Sequence, residues 1–207
     1  MYKSNLLLIS IIFLSSFTNI SSGDPVTDAA QKGLQNYLVL IPAGRENLYG
    51  FSTGDDLKNC TVGKPYQLLK LSLDFYQGTY DPAKNYLSPG KEWRVPVVMN
   101  GDNRTLLTVT ADADTYNIVD LGGALLSREL QQASAHTGDN DHFYILRIYP
   151  LSADFFVDAQ TADISEASFT PLTSAIMAMP SLQNKPYSLN EVLPIIKASL
   201  DQKAKTN

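Results

Sequence analysis

The chain is poor in the residues that most often carry chemistry. It has one cysteine, Cys60, two histidines, His136 and His142, and one tryptophan, Trp93, in 207 residues. A single thiol leaves no internal disulfide, so packing alone must stabilise the fold. Two imidazoles and one thiol do not readily close a zinc site. Basic residues are outnumbered 16 to 21, giving a net charge of −5. A chain with that balance and no basic stripe is a poor partner for nucleic acid, where phosphate neutralisation dominates affinity. Anionic lipid surfaces are disfavoured for the same reason. The sequence contains no Gly-x-Ser-x-Gly elbow, and no P-loop, dinucleotide fingerprint or metalloprotease helix motif. No cofactor is expected. Internal repeats and low-complexity tracts are absent as well.

Long apolar runs are also missing, with one short exception at the start. Lys3 precedes an apolar stretch from Leu6 to Leu14, and the small polar residues Ser21, Ser22 and Gly23 follow. This is the layout of a secretory signal peptide, with Ser21 and Gly23 at the −3 and −1 positions of cleavage. The run is shorter than the roughly 20 apolar residues that span a bilayer. The reading divides the chain into a signal peptide, 1–23, and a single domain, 24–207, with no membrane span in the mature part. The expected location is secreted or periplasmic. The polar C-terminus offers no hydrophobic tail for a lipid anchor. Sequons at Asn19, Asn59 and Asn103 do not decide between a bacterial and a eukaryotic source.

Hydrophobic periodicity then orders the domain. Val26, Ala29, Ala30, Leu34, Tyr37, Leu38 and Ile41 recur at helical spacing behind Asp24-Pro25, a capping residue followed by a first-turn proline, and Pro42 and Gly44 end the helix. Residues 43–65 and 76–91 are rich in turn formers and read as loops. Tyr66–Leu73 reads as a strand. Trp93–Met99 is rich in valine and closes on Asn100-Gly101, after which Leu106, Leu107 and Val109 resume: the signature of a hairpin. Pro96 lacks a ladder donor, which predicts an edge strand or a bulge there. A third strand spans 116–121. A helix spans Ala124–Ala133, with Leu125, Leu126 and Leu130 inward. Strands at 143–149 and 154–158 and a β-like segment at 168–177 follow. Ser188 and Glu191 form a capping-box pattern before the last helix, and Pro194 predicts either a kink or a later start. The fold class is α+β: an antiparallel, hairpin-rich sheet with helices packed on one face.

Gly50-Phe51, Val62-Gly63-Lys64-Pro65-Tyr66, Trp93-Arg94-Val95-Pro96-Val97, Leu107-Thr108-Val109 and Gly122-Gly123 resemble uncharacterised exported bacterial α+β domains of cystatin-like or protease-propeptide-like layout. The resemblance covers about residues 28–160. It implies a bacterial exported origin and favours binding or inhibition over catalysis. It transfers no catalytic residue.

Two functional readings follow. In the first, the chain is a non-catalytic module that binds a protein or a cell-surface polymer. Its contacts come from Tyr76, Tyr80 and Tyr86 and from the strand around Trp93, because exposed aromatics give rigid contact area. In the second, it is a small hydrolase that uses Cys60 as nucleophile with His136 or His142 as base. Two acidic clusters, Asp112 with Asp114 and Asp139-Asn140-Asp141, read as solvated turns rather than calcium loops, since neither continues into a full ligand set.

Overall fold

Asp24 begins the described fold by accepting hydrogen bonds from the Val26 and Thr27 backbone N–H groups, both at 3.4 Å. These are donors that a helix start leaves unpaired. Helix α1 (Pro25–Leu38) follows and buries Val26, Ala30, Leu34 and Leu38 along one stripe. In this computed structural model residues 24–135, 137, 142–161 and 163–206 are described. The signal segment, His136 and the 139–141 acidic cluster lie outside them.

The strands are β1 (Thr61–Val62), β2 (Tyr66–Leu71), β3 (Leu87–Met99), β4 (Asp102–Asp112), β5 (Thr115–Gly122), β6 (Phe143–Ile148), β7 (Ala153–Asp158) and β8 (Ser168–Pro171). They form one sheet in the order β5-β4-β3-β2-β6-β7-β8, with β1 paired to β3 beyond the start of β2. All pairs are antiparallel except β2 with β6. The remaining helices are α2 (Leu73–Gln77), α3 (Ala124–Ser134), α4 (Thr173–Ala178) and α5 (Leu189–Thr206). The class is α+β, with a mostly antiparallel, mixed sheet.

Strand alternation divides the helices between the two faces, because neighbouring residues of a strand point to opposite sides. Leu107 and Val109 pack with Val95, Val97 and the buried stripe of α1. Leu146, Ile148, Phe155 and Val157 pack with Val192, Leu193 and Ile196 of α5. The residues between them, Leu106, Ile145 and Phe156, pack instead with Leu130 of α3. Helix α3 therefore lies across the sheet from α1 and α5, which corrects the expectation of one helical face. Its inward stripe also differs: Leu125 is 58% exposed, and Ser127 takes the buried position, donating to the Thr105 carbonyl at 2.9 Å.

Asn100 (φ 56) and Gly101 (φ 84) form the two-residue β3–β4 turn, with Met99 opposite Asp102. Positive φ at both positions is what a hairpin of this twist requires. A side chain at Gly101 would meet open space, so only the backbone conformation resists one. Gly101→Val is expected to cost on the order of 1–2 kcal/mol, because a β-branched residue resists positive φ. An unchanged urea midpoint would contradict this. Ala113 (φ 51) and Asp114 form the two-residue β4–β5 turn, with Asp112 opposite Thr115.

Pro96 is buried and interior. Its carbonyl accepts from Gly63 N at 2.8 Å, and Leu106 of β4 stands on its other side. In an antiparallel ladder the N–H and C=O of one residue point the same way. The missing donor thus faces the Gly63–Pro65 connection, where the neighbour of β3 changes from β2 to β1. That position needs no donor, which is why proline is tolerated inside the sheet.

Three other elements differ from the sequence reading. β3 begins at Leu87, inside the expected 76–91 loop. Pro89-Gly90 fits there because Gly90 lies under Lys70: a Cβ would sit 2.9 Å from the Leu68 carbonyl oxygen. Residues 168–177 split into β8 and α4. Finally, α5 starts at Leu189, directly after Ser188, and runs through Pro194. Ser188 N and Oγ both donate to the Glu191 carboxylate at 2.8 Å, so the box sets the start despite the proline.

Candidate functional site

The register brings three side chains into one row. Gln67 of β2 pairs with Trp93 of β3 on one side and with Tyr144 of β6 on the other. All three point to the face that carries α1 and α5, because Trp93 follows the parity of Val95 and Tyr144 that of Leu146. The row lies between the α1 core and the α5 core. Over it opens a cleft of about 610 Å³, bordered by the α1 cap Asp24, Thr27 of the first turn, the Val62–Pro65 connection and His142.

Local structure fixes each lining group. Tyr116 of β5 meets the Trp93 indole edge-on, with ring centroids 5.7 Å apart. Trp93 itself is half-buried. Gln67 Nε2 donates to the Gly90 carbonyl at 2.8 Å, which holds the amide plane. Thr27 Oγ1 donates to Asp24 Oδ2 at 3.0 Å. Lys64 Nζ stands 4.9 Å from the centre of the Phe143 ring, within cation–π range. Tyr144 is buried and adds little open surface.

The predicted tyrosines do not join Trp93. Tyr86 is 3% exposed, and its hydroxyl accepts from Asp81 N at 2.9 Å. It stacks on Tyr80 at 5.9 Å and meets Phe75 at 5.1 Å. Tyr76 and Tyr80 are half-buried in the same core. Tyr76 turns toward Pro150, Leu200 and Ala204. These rings close the chain between α2 and β3 over the α5 core, so of the four expected contact residues only Trp93 lines the cleft. The strand holding Trp93 and Pro96 is no edge, since neighbours flank it on both sides; the sheet ends at β5 and β8. Periodicity could not show this, because an edge is a property of pairing order. Gln67 was missed too: in sequence it is one polar residue in an apolar run, and only the pairing of β2 with both β3 and β6 gives it a central place.

Cys60 is 4% exposed in the α1 core, beside Val26 and Ala30. Burial pushes its thiol pKa up, and Asp55 adds to the shift. A nucleophilic thiol needs the opposite. Register also separates it from His142. Thr61 is paired with Val98, whereas Tyr144 is level with Trp93 through Gln67. Counting one residue back from Thr61 and two back from Tyr144, the Cys60 and His142 backbones stand four residues apart along the sheet, about 14 Å at roughly 3.4 Å per residue. That is beyond hydrogen-bond reach. The histidine lines the cleft and the thiol does not. Among the described residues no group of three or more His, Cys, Asp or Glu side chains could hold a metal ion.

A second polar group lies on the α3 face. Asp154 of β7 is 6% exposed. Its Oδ1 is 3.4 Å from Arg147 Nη1, an ion pair without hydrogen-bond geometry. Its Oδ2 accepts from the Ser174 hydroxyl at 3.3 Å, and that hydroxyl accepts from Asp154 N at 2.9 Å. Burial raises the Asp154 pKa above its usual 3.8, outweighing the opposing pull of Arg147. The folded state therefore binds the proton more tightly than the unfolded chain. Stability from this group is full below about pH 3.8 and declines as pH rises through the folded value. Asp154→Asn, which stays neutral, should gain stability relative to the wild type as urea denaturation is moved from pH 4 to pH 7. A variant that loses ground over that range would reverse the sign and refute the assignment.

Fold and site together define a class: an α+β protein whose mixed eight-stranded sheet carries an aromatic- and amide-lined cleft beside the start of its first helix. No protein family, curated protein or solved structure matches this chain. Among the described residues no helix is long and apolar enough to cross a membrane.

Proposed function

We propose that this chain is an exported, non-catalytic binding module whose ligand, a protein or a cell-surface polymer, lies in the Trp93 cleft. The observation that carries the reading is the row of Trp93, Gln67 and Tyr144 under an open cleft, with the indole and the amide each held by a partner outside it. Groups fixed before the ligand arrives lose little freedom on binding. The single thiol is buried elsewhere with a raised pKa, which favours binding over cysteine chemistry. Export is supported by Lys3, the Leu6–Leu14 run and Ser21-Ser22-Gly23. Inhibitor-like pairing of a peptide along β3 is not favoured, because that strand has partners on both sides.

Trp93 is the only tryptophan in the chain, so selectively excited tryptophan emission reports on this cleft alone. Protein and polysaccharide fractions of the producing cell's envelope or medium should be titrated against the purified domain. A saturable change in emission is expected with one of them. Binding detected by another method with no change in Trp93 emission would move the site elsewhere and overturn the reading. Mass spectrometry of native protein should find an N-terminus at or near Asp24; protein retaining Met1 would refute export.

A further inference from the structure

Resting on that reading, we infer that the ligand of the Trp93 cleft is a neutral glycan segment. Three features of the cleft select it. The first is the lack of an open strand edge. At the level of the floor, β3 pairs with β2 and β4, β2 with β3 and β6, and β6 with β2 and β7. No strand of the floor is an edge, so an extended peptide cannot add there as a strand. Recognition falls to side chains.

The second feature is the kind of side chain. The Trp93 indole, partly buried and held by Tyr116, lines the cleft with an aromatic ring whose π surface is apolar and negative. The C–H face of a pyranose ring is apolar and slightly positive, and stacks on such a surface. Next to it stands the Gln67 amide, one N–H bound to Gly90 and its oxygen a hydrogen-bond acceptor. The Asp24 carboxylate and the Thr27 hydroxyl at the rim add acceptors suited to sugar hydroxyls. One stacking face with planar polar groups beside it matches a ring that is apolar on its faces and hydroxylated at its edge.

The third is charge. The rim combines Asp24 with Lys64, groups of opposite sign, on a chain of net charge −5. A polyanion would meet long-range repulsion without a compensating basic cluster. A neutral polymer meets neither gain nor cost.

The test uses cellohexaose, chitohexaose and xylohexaose as probes, titrated into domain 24–207 with Trp93 emission as the readout. At least one is expected to give a saturable change. Calorimetric titration of that sugar should show affinity reduced more than ten-fold in Trp93→Ala and in Gln67→Ala. Far-UV circular dichroism and thermal melting verify the fold of each variant, and Trp93→Phe, which keeps a smaller ring, should bind at an intermediate level. Binding that survives both alanine variants would overturn the proposal. No response to any of the three sugars at millimolar concentration, together with a response to an envelope protein fraction, would overturn the glycan assignment while the binding reading stands. If no sugar and no envelope fraction alters Trp93 emission, both fail.

Discussion

Phe75→Ala should be among the most damaging single substitutions in this protein, costing about 3–5 kcal/mol, the range for truncating a fully buried aromatic side chain. Phe75 is 1% exposed. It belongs to α2, which has only five residues, Leu73–Gln77, too few to be stable alone. Its ring meets Tyr76 and Tyr80 at 6.2 Å and Tyr86 at 5.1 Å, all edge-on. Edge-on pairs of this kind add about 0.5–1.5 kcal/mol beyond area burial. Removing the ring leaves a cavity under three tyrosines and frees the segment that joins β2 to β3. The expected result is a thermal midpoint lower by on the order of 10 °C, at about 2–4 °C per kcal/mol for a domain of this size. Near-ultraviolet circular dichroism should weaken as the Tyr80–Tyr86 stack loosens. Trp93 packs with the separate α1 core, so its emission maximum in the still-folded variant should stay in place. A cost below about 1 kcal/mol would show that the tyrosines close over the gap, and that the segment does not depend on Phe75.

Gly50→Ala is the second large effect expected. Gly50 ends the 3-10 turn Glu46–Tyr49 with φ 81. A Cβ there would lie 2.3 Å from the Arg104 carbonyl oxygen, a backbone atom of β4 that no rotamer can move aside. The left-handed backbone costs an alanine about 1–2 kcal/mol, and forced displacement of packed backbone adds about 1–3 kcal/mol. The residue after it, Phe51, is 2% exposed in the α1 core, so strain at Gly50 reaches the packing of the first helix. Gly44 supplies the control. Its φ is 78, nearly the same, but nothing lies within 4 Å of its Cβ position. Gly44→Ala should therefore cost the conformational part alone. Urea denaturation of the two variants should differ by about 1–3 kcal/mol, the steric part. Equal costs would show that the loop moves away from β4 at little expense.

The two predictions mark where local and non-local information separate. Gly50 and Phe75 are both conspicuous in sequence, one as a turn former and one as an aromatic in a cluster. Neither the carbonyl that faces Gly50 nor the three rings around Phe75 can be read from neighbours in the chain. Arg104 lies more than fifty residues from Gly50 and meets it only through folding.

What the sequence determined by itself was everything set by near neighbours. Helix α1 and its Asp24 cap were legible because capping and a 3.6-residue period act within one or two turns. The Asn100-Gly101 hairpin was legible because positive φ restricts residue type at the turn itself. The start of α5 at Ser188–Glu191 was legible for the same kind of reason, and there the local box prevailed over Pro194. The α+β class followed from the mixture of the two periods.

Tertiary structure alone decided which strands lie inside the sheet, which face each helix covers, and what borders the cleft. Pro96 shows the limit best. Read alone, a missing donor means an edge strand or a bulge, but a proline also fits an interior strand where its partner strands change over, and that depends on pairing between segments thirty residues apart. The cleft shows it again. Gln67, Trp93 and Tyr144 are separated by 26 and 51 positions in the chain, and they form one row only because β2 pairs antiparallel to β3 and parallel to β6. Alternation fixes which residues share a face within a strand; the register between strands is a global choice, made by burying the α1 and α5 cores on one side of the sheet and the α3 core on the other.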